Sequence, residues 1–213
     1  MSRPVLLLMT IAALTACGPA ETPVPDGVIT GAFEIVGQLE SKKIDEASGL
    51  QAGYQGRYFV INDDVKHLFV IEELGRLLAR IKVKGTKDRD WEDLARLPGD
   101  DGFLLAIGDI GDNDAGHRNL RIYFVEEPEP DPDTGRFAED IRRVHSLSLR
   151  LPDGPHDIES MAYEPHGDRL FLVSKRDVPM HVYAVSREQA LAEEDLVAEK
   201  LGTIPGFRPP TRK

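Results

Sequence analysis

One pattern, met three times along the chain, constrains the fold more than any other feature. Lys43-Ile-Asp-Glu46-Ala-Ser-Gly, Arg89-Asp-Trp-Glu92-Asp-Leu-Ala and His156-Asp-Ile-Glu159-Ser-Met-Ala align on a glutamate, with a basic residue three positions before it. An apolar run follows each, at Tyr58-Phe-Val-Ile61, Leu104-Leu-Ala-Ile107 and Leu170-Phe-Leu-Val173, beginning 12, 12 and 11 residues after the respective glutamate. A third run aligns at Leu68-Phe-Val-Ile71, Ile122-Tyr-Phe-Val125 and Val182-Tyr-Ala-Val185, and a fourth at residues 77–83, 144–151 and 196–204. Short runs this rich in β-branched and aromatic residues read as strands packed on both faces. Four strands per unit, repeated every few tens of residues, is the signature of a β-propeller blade. The expected fold is therefore all-β: a β-propeller of about three four-stranded blades plus one extra N-terminal strand at residues 33–39, forming a partial ring. The only helix-like stretch, residues 186–198, lies in a connection.

The beginning of the chain reads differently. Arg3 precedes an apolar run at residues 5–14, too short to span a bilayer and of the length of a signal-peptide core. It ends Leu14-Thr-Ala-Cys17, which resembles the lipobox of bacterial lipoproteins. The expected division is a lipoprotein signal peptide at residues 1–17 with Cys17 lipidated, a flexible tether at 18–32 and the propeller domain at 33–213. The tether assignment rests on its prolines and glycines, which leave little to bury. The lipid would make the membrane a partner and place the domain in the bacterial cell envelope, at the outer membrane or its periplasmic face. Cys17 is the only cysteine, so no disulfide can staple the domain. The formal charge of −11 becomes −12 once Arg3 is removed with the leader. A chain this acidic is a poor match for nucleic acid and a better one for a cation.

Propellers use four to eight blades, so three units and one strand leave the ring open. The expectation is a chain cut short, or one that closes by pairing with a second copy. In either case open strand edges favour self-association.

Blade geometry also places the acids. The start of a first strand shares one face with the loop between the second and third strands. That puts Glu46, Glu92 and Glu159, with Asp45, Asp90 and Asp157, beside Asn62-Asp-Asp64, Gly108-Asp-Ile-Gly-Asp-Asn113 and Ser174-Lys-Arg-Asp177. Hard cations take six to eight oxygens from such groups, so Ca²⁺ is the cofactor this face suggests. The candidate metal ligands are Glu46, Asp109, Asp112 and Asn113, followed by Glu92 and Glu159. The same residues also fit structural roles. Lys43, Arg89 and His156 can neutralise the repeated acids as scaffolding, and the 109–113 segment can be a solvated glycine-rich turn. The histidines are scattered without the spacing of a metal-ligand pair, which speaks against zinc. Trp91 and Tyr123 read as core. The chain has no Gly-x-Ser-x-Gly, P-loop or dinucleotide fingerprint.

Together, Glu46-Ala-Ser-Gly-Leu50, Asp90-Trp-Glu-Asp-Leu-Ala95, Ile107-Gly-Asp-Ile-Gly-Asp-Asn113, His156-Asp-Ile-Glu159 and Leu172-Val-Ser-Lys-Arg176 resemble segments of bacterial exported six-bladed propellers. The families in question are the SdiA-regulated proteins and the esterase-like propellers associated with phytases. The resemblance implies a ring of six blades, a central Ca²⁺ and an ill-defined hydrolase activity. It covers residues 33–204, so contributions from later blades are missing from this chain. Two functions follow as expectations. One is an envelope-tethered module that binds a ligand or protein of unknown identity. The other is a Ca²⁺-dependent hydrolase of phosphoesters, esters or lactones, with Lys175 and Arg176 holding an anionic substrate.

Overall fold

A computed structural model describes residues 35–87 and 90–205. The signal peptide, Cys17 and the tether lie outside the described residues, as do Phe33 and Arg89. The first apolar quartet forms β1 (Ala47–Ala52), β2 (Arg57–Asn62), β3 (His67–Glu72) and β4 (Leu77–Lys84). The second forms β5 (Trp91–Gly99), β6 (Gly102–Asp109), β7 (Leu120–Glu126), a short β8 (Asp140–Arg142) and β9 (His145–Arg150). The third forms β10 (Ile158–Glu164), β11 (Arg169–Ser174), β12 (Met180–Ser186), α1 (Arg187–Ala192), β13 (Asp195–Val197) and β14 (Glu199–Ile204). The fold is all-β, built as three mostly antiparallel sheets of four or five strands. The central runs of the first two sheets are covered on both faces. Leu68, Phe69 and Val70 are all fully buried, as are Leu105, Ala106 and Ile107.

The sheets are stitched to one another in a way the strand pattern did not reveal. The first sheet has the order β1-β2-β3-β4-β8 and the second β5-β6-β7-β9-β13, each gaining a parallel edge strand from the following unit. Lys84 Nζ reaches Asp140 Oδ2 at 2.5 Å across the first of these joints. At the second, Ser148 N donates to Glu194 O and Ala198 N to Arg150 O. The run at 196–204, expected as a single strand, is thereby divided. Its start belongs to the second sheet and β14 to the third, and the hinge is Ala198, which is 3% exposed. The helix-like stretch shortens to α1, capped by Ser186, whose Oγ accepts from Gln189 N.

Packing joins the sheets through shared clusters. One brings Phe59, Ile61, Leu68 and Val70 of the first sheet against Leu94, Leu105, Ile107 and Val125 of the second. Another brings Ala95, Ile122 and Leu147 of the second against Met161, Leu170, Leu172 and Tyr183 of the third. Trp91 and Tyr123 are core, as expected, at 0% and 3% exposure. The first strands lie next to one another in succession. Ser48 Oγ donates to Trp91 O at 2.7 Å, and Met161 N donates to Asp93 Oδ2 at 2.8 Å. Gly49 makes the first approach possible, because a Cβ there would lie 2.9 Å from Asp93 Cα.

The extra N-terminal strand is not formed over its described part. Residues 35–40 carry no strand; Gln38 N donates to Leu74 O and Glu40 N to Gly75 O, each at 3.2 Å. The segment runs along the β3–β4 turn instead of a sheet edge, so no ladder extends it. The described residues form no closed ring. No helix among them is long and apolar enough to cross a membrane.

Candidate functional site

The backbone corrects the alignment on which the repeated glutamates were compared. Asp63 N donates to Glu46 O, Ile110 N to Asp90 O and Lys175 N to Asp157 O, the same bond in each sheet. Each first strand also carries a register shift at one place, between Ala47 and Gly49, Trp91 and Asp93, and Ile158 and Ser160. Glu46 is therefore the counterpart of Asp90 and Asp157, whereas Glu92 and Glu159 are bulge residues whose counterpart is Ser48. A bulge re-aims one side chain out of the alternation. Here it turns Glu92 and Glu159 towards each other at the ends of neighbouring strands. Glu46 stands apart, exposed, in a group with Asp63 and Asp64 whose carboxylate oxygens lie within 4.8 Å of one another. The repulsion of Asp63, then of Asp64, raises its pKa.

Glu92 is 8% exposed, the most buried of the three glutamates. Burial first, then the charges of Glu159 and Asp90, push its carboxyl up to about 9, and hydrogen bonds to both neighbours favour the protonated form. The loop after β6 presses onto this group. Gly111 N and Ile110 N both donate to Asp90 O, and a Cβ on Gly111 would collide with the Asp90 carboxylate and sit 2.6 Å from Glu92 Oε1. Two cations border the acids. Lys175 Nζ is 2.9 Å from Glu159 Oε1, and Arg176 Nε is 2.5 Å from Asp157 Oδ2.

The other expected ligands are engaged in holding the loop. Asp109, 1% exposed, accepts from Asp90 N at 3.0 Å and from the Tyr123 hydroxyl at 3.4 Å. Asp112, 3% exposed, accepts from Gly116 N at 2.9 Å and His117 N at 2.7 Å, and its own N–H donates to Asp157 Oδ1. Asn113 donates to Asp90 Oδ2 at 3.2 Å and accepts from Arg176. Residues 109–112 thus form a buried, hydrogen-bonded brace, with Asn113 exposed at its end. The six candidates do not converge as a set: Glu92 and Glu159 meet beside Asp90, Asp109 and Asp112 face backbone N–H groups, and Glu46 belongs to the separate group.

A second constellation gathers residues distant in sequence. The rings of His156 and His181 pack edge to face with centroids 4.8 Å apart. His156 Nδ1 is 3.0 Å from Asp177 Oδ2, and Asp153 Oδ2 is 3.4 Å from His156 Nε2 and 3.6 Å from His181 Nδ1. Lys200 Nζ lies 2.5 Å from the same Asp153 oxygen, and the Tyr183 hydroxyl donates to Asp153 Oδ1 at 3.0 Å. His156 thus pairs with Asp177, not with Glu159 as the repeat suggested. Two of the six histidines, 25 residues apart in the chain, are therefore neighbours in space. His156 precedes β10 and His181 opens β12, and in an antiparallel meander those positions share one end. Strand order held that signal; residue spacing did not.

Chemically, the first group offers a convergence of three carboxylates with a shared proton, and the second a mixed imidazole and carboxylate pocket. Comparison with known proteins finds no family model and no curated protein that matches this chain.

Proposed function

We propose that the three sheets are successive blades of a β-propeller and that the chain is an envelope lipoprotein, anchored through Cys17, whose acidic face binds a cationic ligand. The propeller reading is supported by first strands that neighbour one another in order and by the same bulge and backbone bond in each sheet. The observation that carries the binding reading is the meeting of Asp90, Glu92 and Glu159, where Glu92 holds its proton to about 9. Like charges brought this close stay together only by sharing protons or by taking up a cation. Ca²⁺, or the ammonium group of a larger ligand, would displace that proton. The hydrolase alternative needs an uncommitted carboxylate as general base. A protonated Glu92 and a Lys175-paired Glu159 do not supply one, which favours binding over catalysis.

The test is calorimetric titration of Ca²⁺ at pH 7.5 in two buffers of different ionisation enthalpy. Binding with release of about one proton is expected, and Glu92→Gln should remove the proton release. Absence of Ca²⁺ binding at millimolar concentration would eliminate the metal form of the reading. The anchor has its own test: labelled palmitate should enter the wild type and be lost in Cys17→Ser, and equal labelling of the two proteins would remove it.

A further inference from the structure

We infer that Asp153, His156 and His181 form a site for a borderline divalent cation of the Zn²⁺ class, with Asp177 as the carboxylate that orients His156 and Lys200 as an internal competitor. The tautomers follow from the partners. His156 Nδ1 lies 3.0 and 3.1 Å from the two Asp177 oxygens, which only accept, so Nδ1 carries the proton and donates. In neutral His156 the lone pair is then on Nε2. That nitrogen is buried, has no hydrogen-bond partner, and has the Asp153 carboxylate oxygen 3.4 Å away. A buried lone pair set against a carboxylate is unfavourable unless positive charge lies between them.

His181 Nδ1 is 3.2 Å from Lys200 Nζ, which only donates, and 3.1 Å from the Tyr183 hydroxyl oxygen, whose own proton goes to Asp153 Oδ1. With its proton on Nε2, His181 presents the Nδ1 lone pair to Lys200 or to an ion taking its place. Three lone-pair atoms, Asp153 Oδ2, His156 Nε2 and His181 Nδ1, converge within 4.8 Å of one another. Zn²⁺ binds imidazole nitrogen and carboxylate oxygen at about 2.0–2.2 Å, which in a tetrahedron separates the ligand atoms by about 3.3–3.6 Å. The two separations measured from Asp153 Oδ2, 3.4 and 3.6 Å, fall in that interval. The Asp177–His156 hydrogen bond reproduces the carboxylate–histidine–metal arrangement that fixes a ligand's tautomer and raises its basicity. Two imidazoles and one carboxylate leave a fourth position free, and the three side chains remain 16–31% exposed, so an ion has a path in from solvent.

Lys200 marks where positive charge is already held, with its ammonium on Asp153 Oδ2 at 2.5 Å. It is the terminal group of a flexible side chain, 32% exposed, and can turn to solvent when an ion enters. This gives the proposal a signature that a purely structural hydrogen-bond cluster lacks, because removing Lys200 should strengthen binding.

The experiment is titration of the chelator-treated full chain with Zn²⁺, followed by calorimetry. One ion per chain is expected. Affinity should fall at least tenfold in His156→Ala and in His181→Ala, fall about 10–100-fold in Asp177→Asn, and rise several-fold in Lys200→Met. Glu92→Gln should leave it unchanged, which separates this site from the acidic face. No stoichiometric Zn²⁺ in the wild type, undiminished binding in either histidine variant, or weaker binding in Lys200→Met would overturn the proposal. Should a histidine variant fail to fold by circular dichroism, the wild type loaded with Co²⁺ decides. Two exchangeable, paramagnetically shifted imidazole N–H resonances are expected, and their absence would count against the site.

Discussion

At the scale of single residues, Glu92 carries the sharpest consequence. Its carboxyl has an ordinary pKa of 4.5 and is raised to about 9 by burial and by Glu159 and Asp90. Because the folded state holds the proton more tightly than the unfolded one, the contribution is full below 4.5 and is lost as pH rises towards 9. Glu92→Gln keeps the shape and removes the titration. The variant should gain steadily on the wild type as pH is raised from 5 to 9. Urea denaturation of both proteins at several pH values measures the difference; a gap that is constant with pH would contradict the assignment. Gly111 is the second consequence. A Cβ there meets the Asp90 and Glu92 carboxylates, so Gly111→Ala should cost about 1–3 kcal/mol. The double variant Asp90→Ala/Gly111→Ala should lose less than the sum of the two single losses, since the obstructing group is gone.

Among elements, the joint between first strands depends on one side chain. Asp93 in β5 accepts from Met161 N in β10 at 2.8 Å through one oxygen and from Leu94 N at 2.8 Å through the other. It is the residue that follows the bulge, so the irregularity that re-aims Glu92 also directs Asp93 to the neighbouring sheet. Asp93→Ala leaves both donors without their acceptor, and a loss of about 1–3 kcal/mol is expected. Faster hydrogen exchange at Met161 than at the centre of β11 would locate that loss at the joint. Equal protection at both positions would show that the side chain contributes nothing to it. The parallel strands β8 and β13 reinforce the other side of the first two sheets by backbone bonds and depend less on any one residue.

For the whole molecule, the distribution of edges decides behaviour. The first two sheets have a fifth strand on their outer edge, but β14 has none among the described residues. Leu201 and Ile204 on this strand are 41% and 39% exposed, and the third sheet also presents half-buried Phe171, Val173 and Val182. An uncovered strand with apolar residues is a template for pairing with another chain. Concentration-dependent association is therefore expected in sedimentation velocity, stronger at higher salt because the net charge of −11 opposes it. Leu201→Lys should shift the distribution towards monomer. A wild type that stays monodisperse and monomeric at high concentration would refute the edge argument.

The strand pattern of this protein is set by local sequence. Apolar runs bounded by Gly, Pro and Asp bury their backbone polar groups in ladders, and the second and third runs of each unit became strands within two residues of their expected bounds, whereas the run at 196–204 was divided between two sheets and residues 35–39 formed no strand. The all-β class followed from that alone, and the size and apolar surface of Trp91 and Tyr123 placed them in the core. Residue identity could not set the register between units, because equivalence is a property of backbone position. A glutamate in one sheet occupies the place of an aspartate in the next two, and a bulge moves the remaining glutamates to a new direction. Whether a carboxylate faces solvent, a backbone N–H or another acid likewise depends on loops that arrive from other parts of the chain. Gly111 closes over Asp90 and Glu92, Asp112 is spent on its own turn, and β8 and β13 find partners in sheets built much earlier. His156 and His181 meet for the same reason: an antiparallel meander returns distant residues to one end, and only tertiary pairing fixes which ones.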